Sequence, residues 1–332
     1  MEKVENCRFM VCVSCMSFNH SVFIESTMNG FCMQQTNFPF VCTIMDDAST
    51  DGEQEIVDAF LQKFFNIEDK SLVISEVTSD YIMTFAQHKT NKNCFFAVYK
   101  LKYNHYSINK SKIPYLLRWR KQSRYIAICE GDDYWIDSLK LQKQVDYLES
   151  NFDYSMCFHR ARLLNNGAQD VGLQCDDIEN REYKPNELLA SWKVPTASTL
   201  FRREVLEIVN LSNHRILNSD ICLVMNCAKM GKIRGMSDVM SVYRIHGGGV
   251  TYDEKFQKER LLKYPDHFKF IKENYPFLNQ GLINSLIMCS YFNRRTIQNS
   301  FWGYLKDTLL ADYYRLLAAY YNKLINKKKL LS

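Results

Sequence analysis

Short runs that are apolar throughout, each closing on acidic residues, constrain this chain more than any other feature. Phe9 to Met16 and Phe40-Val-Cys-Thr-Ile-Met45 read as continuous apolar stretches, which is what strands covered on both faces require in a mainly parallel α/β sheet. The second run passes directly into Asp46-Asp47-Ala-Ser-Thr-Asp51-Gly52, and Tyr125-Ile-Ala-Ile-Cys129 passes into Glu130-Gly131-Asp132-Asp133-Tyr134-Trp135. In open sheets of this kind, ligands bind outside the carboxyl ends of the strands. Anions gathered there are costly unless a cation or hydroxyl donors compensate them, and a hard divalent metal is the simplest such partner. The pattern is that of an enzyme.

Between these runs the spacing changes to that of helices. Ile24, Met28 and Phe31 make one stripe, and Ile56, Phe60 and Phe64 with Val57, Leu61 and Phe65 make another. Thr50-Asp-Gly-Glu53 has capping-box spacing, so Ser49, Thr50 and Asp51 are assigned mainly to starting the second helix. Ser71 to Ser75 is expected as a third strand, completing a nucleotide-binding half of a doubly wound sheet. Residues 80–124, rich in Asn, Lys and Tyr, are expected to form loops and short helices. A helix follows over Leu139 to Ser150, then strands over Tyr154 to Leu164, Thr196 to Phe201 and Val239 to Ile245, with a helix from near Asp220 to about Gly231. From residue 251 the chain becomes helical and basic. Leu305, Leu309, Tyr313, Leu317, Tyr320 and Leu324 share a face there, and Lys327-Lys-Lys329 follows. This divides the chain into a catalytic α/β domain, 1–250, and a helical extension, 251–332.

With 332 residues, 46% of them hydrophobic and 14% aromatic, a large core can form. A net charge of +5 is too mild to imply nucleic-acid binding. Of twelve cysteines, several fall inside strand-like runs, where a free thiol acts as a small hydrophobe, so a reducing, cytoplasmic setting is expected. Cys12-Val-Ser-Cys15 has metal-type spacing, but strand alternation sends its two thiols to opposite faces. No signal peptide is expected from the first residues, and no apolar stretch is long enough for a membrane span. The basic C-terminal helix could instead lie on the cytosolic face of a membrane.

Taken in order, these motifs resemble family 2 glycosyltransferases, inverting enzymes with the GT-A fold. The match runs over about residues 8–250. It comprises Ser17-Phe18-Asn19, Met45 to Gly52, Cys129 to Trp135, Pro195-Thr-Ala-Ser-Thr-Leu-Phe-Arg202, Asn218-Ser-Asp220 and Val242-Tyr-Arg-Ile-His-Gly-Gly-Gly249. The resemblance implies a Rossmann-like, mainly parallel sheet and transfer of a sugar from a nucleoside-diphosphate sugar, of the UDP type, to a glycan or lipid-linked acceptor in polysaccharide assembly. It implies that Phe18, Asn19 and Asp47 bind the nucleotide and that Glu130-Gly-Asp132 replaces the usual Asp-x-Asp. Glu130 then approaches the ribose, and Asp132, with Asp133 and His246, binds Mg²⁺ or Mn²⁺. Asp220 becomes the base that deprotonates the acceptor, and Trp135 a floor for the acceptor sugar. Two other classes fit parts of the pattern: a metal-dependent phosphoryl or nucleotidyl transferase, and a non-catalytic sugar-nucleotide-binding protein.

Overall fold

The structure, a computed structural model, describes residues 7–69, 73–165, 169–247, 254–298 and 300–329. The chain divides into two compact units: Met1–Glu182, Lys193–Arg203 and Lys232–Ile245 form the first, and Tyr183–Trp192, Glu204–Gly231 and His246–Ser332 the second.

The first unit follows the order β1 (Phe9–Ser17), α1 (Ile24–Cys32), β2 (Phe40–Asp46), α2 (Glu53–Phe64), β3 (Ile74–Val77), β4 (Tyr81–Gln87), β5 (Cys94–Leu101), α3 (Ile113–Arg120), β6 (Ser123–Ile128), β7 (Tyr134–Trp135), α4 (Lys140–Ser150), β8 (Tyr154–Asn165) and β9 (Gln169–Gln174). The two-residue β10 (Glu182–Tyr183) stands where the chain passes to the second unit, and β11 (Leu200–Arg202) and β12 (Lys232–Ile245) complete the first. The strands line up as β12-β8-β11-β6-β1-β2-β5-β4-β3. β1 is parallel to β2, with Val11 opposite Phe40 and Ser17 opposite Asp46, and parallel to β6, with Val11 opposite Tyr125. Because these strands share a direction, the loops after Ser17, Asp46 and Ile128 leave from one edge of the sheet.

The continuous apolar runs have the expected cause. All seven residues of β2 are buried, and Val11, Val13, Cys15, Ile44 and Val98 pack with Met28, Phe31, Phe60 and Leu61 of the helices. All twelve cysteines are free thiols, and Cys12, Cys15, Cys42, Cys94 and Cys157 are buried in strands as small apolar residues. The expected fold class is the observed one, a mainly parallel α/β sheet flanked by helices with a helical C-terminal region.

Two strand expectations need correction. Ser71 and Leu72 lie outside the described residues, and the strand that follows, β3, is an exposed edge strand antiparallel to β4. The parallel neighbour of β2 is instead β5, with Phe40 opposite Cys94, inside the stretch expected to be loops. Its run Cys94-Phe-Phe-Ala-Val-Tyr-Lys-Leu101 is apolar, aromatic and buried, and the Asn and Lys residues around it belong to the turns at its ends. Thr196 to Phe201 opens with a single turn of 3₁₀ helix over Thr196–Ser198, and only Leu200–Arg202 pairs, antiparallel to β6 and β8.

The second unit is helical: α5 (Pro185–Ala190), α6 (Ser219–Met230), α7 (Glu254–Asn274), α8 (Gln280–Arg294) and α9 (Phe301–Lys329). As the sequence predicts, α6 ends at Gly231. The buried Tyr275 hydroxyl, 3.1 Å from the Cys222 carbonyl and 2.9 Å from Asn226 Oδ1, ties the end of α7 to α6. The Asn279 side chain accepts from the Leu282 amide and caps α8. Among the described residues, no helix is long and apolar enough to cross a membrane.

Candidate active site

The three loops at the sheet edge are laced together by their own polar groups. Asp47 N donates to Ser17 O at 3.0 Å, and Gly131 N to Met16 O at 2.8 Å. Asn19 N donates to Ser49 Oγ and Thr50 N to Asn19 Oδ1, both at 2.8 Å. Glu53 is fully buried, and its Oε2 accepts from His20 N at 2.8 Å and from Ser49 Oγ at 3.0 Å. This corrects the capping box. Helix α2 starts at Gly52, whose φ of 92° is left-handed, and Glu53 braces the first loop rather than pairing with Thr50. Asp51 does help start the helix, since its Oδ1 accepts from Glu53 N at 3.2 Å, while its Oδ2 accepts from Ser21 N. Asn19 at φ 56° and Ala48 at φ 61° also lie in the left-handed region, a strain held where the loops meet.

At Gly131 a side chain has no room, because an added Cβ would lie 2.7 Å from Ser17 Cβ and 3.0 Å from His20 Nδ1. The glycine lets the acidic loop press against the first. Asp132, half-exposed, brings Oδ2 to 3.8 Å from His20 Nε2, and His20 Nδ1 lies 3.3 Å from Ser17 Oγ. Glu130 is pushed up to about 7, first by desolvation and then by the charge of Asp132. Asp133 is buried and raised well above the usual carboxylate range, by desolvation and then by Asp132. Its Oδ1 accepts from Arg244 N at 2.9 Å, and Arg244 Nη1 donates to Asp132 O at 2.6 Å. Asp133 is thus drawn inward to β12 and acts on the loop's position, whereas Asp132 faces His20. The Asp132 carboxylate and the His20 imidazole are a pair of donors of the kind that Mn²⁺ takes, and the crowding of acids around them is relieved by a cation.

Asp46, buried at the end of β2, is pushed up to about 6 by desolvation, and accepts from Ser49 N and from Gln54. The Asp47 carboxylate is engaged within the chain: it accepts from His105 N at 2.7 Å, Tyr106 N at 3.1 Å and Lys112 Nζ at 2.5 Å. Phe18 is exposed beside these loops. Trp135 overturns its expected role. It is 1% exposed, donates from Nε1 to Ala197 O at 3.0 Å, and packs on Phe31 and on the buried Lys140 ammonium. It is a core anchor for the acidic loop and cannot present a face to a sugar.

In the helical unit, Asp220 lies in the first turn of α6 with Oδ1 2.9 Å from Ile221 N, and burial raises its carboxyl group from the usual aspartate value. It lines a cavity of about 560 Å³ together with Trp192, Asn218, Arg260, Tyr264 and Phe268. Arg260 donates to the Tyr264 hydroxyl at 2.8 Å and to Asn218 Oδ1 at 3.3 Å, and the Tyr264 and Phe268 rings stack at 5.8 Å. His246 is the residue that follows β12, and Gly248 and Gly249 lie outside the described residues.

His20, Lys112 and Trp192 are not singled out by sequence as site residues, Glu53 reads there only as part of a helix cap, and Arg244 only as one position of the Val242 to Gly249 motif. His20 follows Ser17-Phe18-Asn19 immediately and could have been found by extending that motif by one residue. Lys112 carries no such signal, because it reaches Asp47 across 65 positions of chain.

No family profile matches the chain. It is 26% identical over 253 residues to the uncharacterized proteins Rv1520 of Mycobacterium tuberculosis and Mb1547 of Mycobacterium bovis, a match covering 76% of this chain. The chain spans 63% of the length of these relatives. Among solved structures, S. aureus TarS residues 1–349 in complex with UDP-GlcNAc aligns with a TM-score of 0.52 at 12% identity, covering 95% of this chain and 92% of that one. TarS 1–349 in a second structure aligns at 0.50, with 12% identity and 92% and 91% coverage. These likenesses show the fold, which is of GT-A type.

Proposed function

We propose that this protein is a family 2 inverting glycosyltransferase that moves a sugar from a nucleoside-diphosphate sugar, of the UDP type, to a hydroxyl of a glycan or lipid-linked glycan. The observation that carries this is the meeting of three loops at the carboxyl edge of parallel strands, with exposed Phe18, half-exposed Asp132 and His20 beside acids that ionise reluctantly. A cation together with a diphosphate would balance the charge at that edge. TarS, which shares the fold, is in complex with UDP-GlcNAc.

In this reading Asp132 and His20 would hold Mg²⁺ or Mn²⁺, and the resemblance adds His246 as a ligand. The ion supplies Lewis acidity to the departing diphosphate. Phe18 stacks on the base. Asp47 accepts the ring N–H of a uracil-type base in place of Lys112, and Glu130 accepts from a ribose hydroxyl. Asn19 shapes the loop that receives the nucleotide, and Asp133 holds the Asp132 loop to β12. Asp220, made more basic by burial, takes the acceptor proton as the acceptor oxygen bonds to C1 of the sugar and the bond from C1 to the diphosphate breaks. One such displacement inverts the anomeric centre. Trp192, Tyr264 and Phe268 give the Asp220 cavity apolar faces of the kind a sugar ring packs against, so the acceptor role expected of Trp135 passes to Trp192. The setting we infer is polysaccharide assembly in the cytoplasm.

The test is Asp220→Asn with a panel of nucleoside-diphosphate sugars and Mn²⁺. Transfer is expected to vanish while Mn²⁺-dependent nucleotide binding, read as a rise in Tm, stays within about twofold of wild type. Undiminished turnover would remove Asp220 as the base, and a panel in which no sugar nucleotide raises Tm would sink the whole reading.

A further inference from the structure

Helix α9 has two apolar faces and, among the described residues, buries one and exposes the other. The inner face carries Asp307, Ala311 and Ala318, all buried, with Tyr314 stacked 6.0 Å from Tyr291 of α8. Asp307 is fixed by Arg294, with Nη2 at 2.5 Å and Nε at 3.0 Å. On the opposite side Trp302, Leu309, Tyr313, Leu316 and Tyr320 follow one another at steps of seven, four, three and four, the spacing of a single helical stripe. All five are exposed, Trp302 by 76% and Leu316 by 68%. Apolar residues on both sides of a helix, buried on one side and exposed at Leu309, Tyr313, Leu316 and Tyr320 on the other, mark the outer side as an interface.

Charge decides what that interface meets. Over its length α9 carries Lys306, Arg315, Lys323, Lys327, Lys328 and Lys329 against Asp307 and Asp312. Asp307 is buried in its pair with Arg294, and Asp312 is paired with Arg315 at 3.0 Å. Counted over the sequence, the charge left on this helix is therefore basic. A second copy of the chain would set one basic stripe on another, whereas an anionic bilayer surface complements it. The residue types agree, since Trp and Tyr favour the boundary between headgroups and acyl chains and lysines favour the headgroups. The helix is not apolar enough to cross a bilayer, so it would lie along one.

We propose that the outer face of α9 docks this protein on an anionic phospholipid surface, with Leu309, Tyr313, Leu316 and Tyr320 entering the interface and the basic charge of the helix drawing it to the headgroups. This does not depend on the glycosyl-transfer reading, because binding is measured without donor or acceptor. The experiment is co-sedimentation of the full chain with phosphatidylcholine vesicles that contain or lack phosphatidylserine. Binding is expected only with phosphatidylserine, and it should weaken by about tenfold or more when salt is raised from low to physiological strength. Leu309→Glu/Leu316→Glu should reduce binding by about tenfold or more with Tm unchanged, since both residues are exposed. Lys306→Glu/Arg315→Glu, which keeps the apolar stripe, should weaken binding to phosphatidylserine vesicles as well. The proposal is overturned if the wild-type chain stays in the supernatant with phosphatidylserine vesicles, or if the leucine variant still binds them fully. It is equally overturned if light scattering shows a dimer that the leucine variant turns into a monomer, because the stripe then belongs to a second copy.

Discussion

Replacing Glu130 with glutamine should make the protein more stable and less active, and the gain in stability can be worked from its surroundings. Desolvation and the neighbouring Asp132 charge raise the carboxyl group from 4.5 to about 7. The unfolded chain loses this proton near 4.5 and the folded chain near 7, so between those values the folded state binds more protons and stability falls as pH rises. Above about 7 the whole cost is present. A shift of about 2.5 units corresponds to about 3 kcal/mol, and the partial exposure of Glu130 reduces the realised figure to roughly 1–2 kcal/mol. Glutamine has a similar shape and no charge to desolvate. At pH 8 the Glu130→Gln variant should therefore melt higher by about 2–8 °C, and at pH 5 the two proteins should converge. Scanning calorimetry across this range reads the difference directly. Sugar transfer should fall, because the carboxylate that costs stability is the one assigned to the ribose. Equal pH slopes in wild type and variant, or a lower Tm for the variant at pH 8, would refute the reasoning.

The other expectations rest on neighbouring residues. Asp132→Ala should remove the metal dependence of UDP binding, with calorimetry in the presence and absence of Mn²⁺ giving equal affinities; a persisting difference would take Asp132 out of the cation site. Gly131→Ala places a Cβ 2.7 Å from Ser17 Cβ and should cost about 1–3 kcal/mol, read as a lower Tm together with weaker nucleotide binding. Because burial raises Asp220, kcat/KM should begin to fall on acidification at a higher pH than a free aspartate would give. A pH–rate profile whose acid limb lies at the ordinary aspartate value would contradict that assignment.

What the sequence revealed and what it hid divide along physical lines. β1, β2 and β6 were legible because strands buried on both faces must be apolar throughout, and their acids were legible because charge at the end of such a run has no packing explanation. β5 was hidden because composition averaged over residues 80–124 is dominated by the Asn and Lys of its turns, although the eight residues Cys94–Leu101 are as apolar as β2. Asp132 and Asp133 are adjacent and chemically alike, so only the tertiary pairing of Asp133 with the Arg244 amide, 111 positions away, shows that it is Asp132 that faces His20. Trp135 was misassigned for a related reason. An aromatic residue beside an acidic loop can serve a sugar or anchor the loop, and the choice depends on Ala197 and Phe31, which local sequence cannot place next to it. The Thr50 to Glu53 spacing shows the limit most clearly, since Glu53 turns to the His20 amide, 33 positions away, and what reads as a local cap is a brace between two loops. Function at this edge is therefore written in long-range pairings of short-range motifs. Substitutions that leave the acids at the strand ends intact but break a brace, such as Glu53→Ala or Arg244→Lys, belong to the same site as the acids themselves.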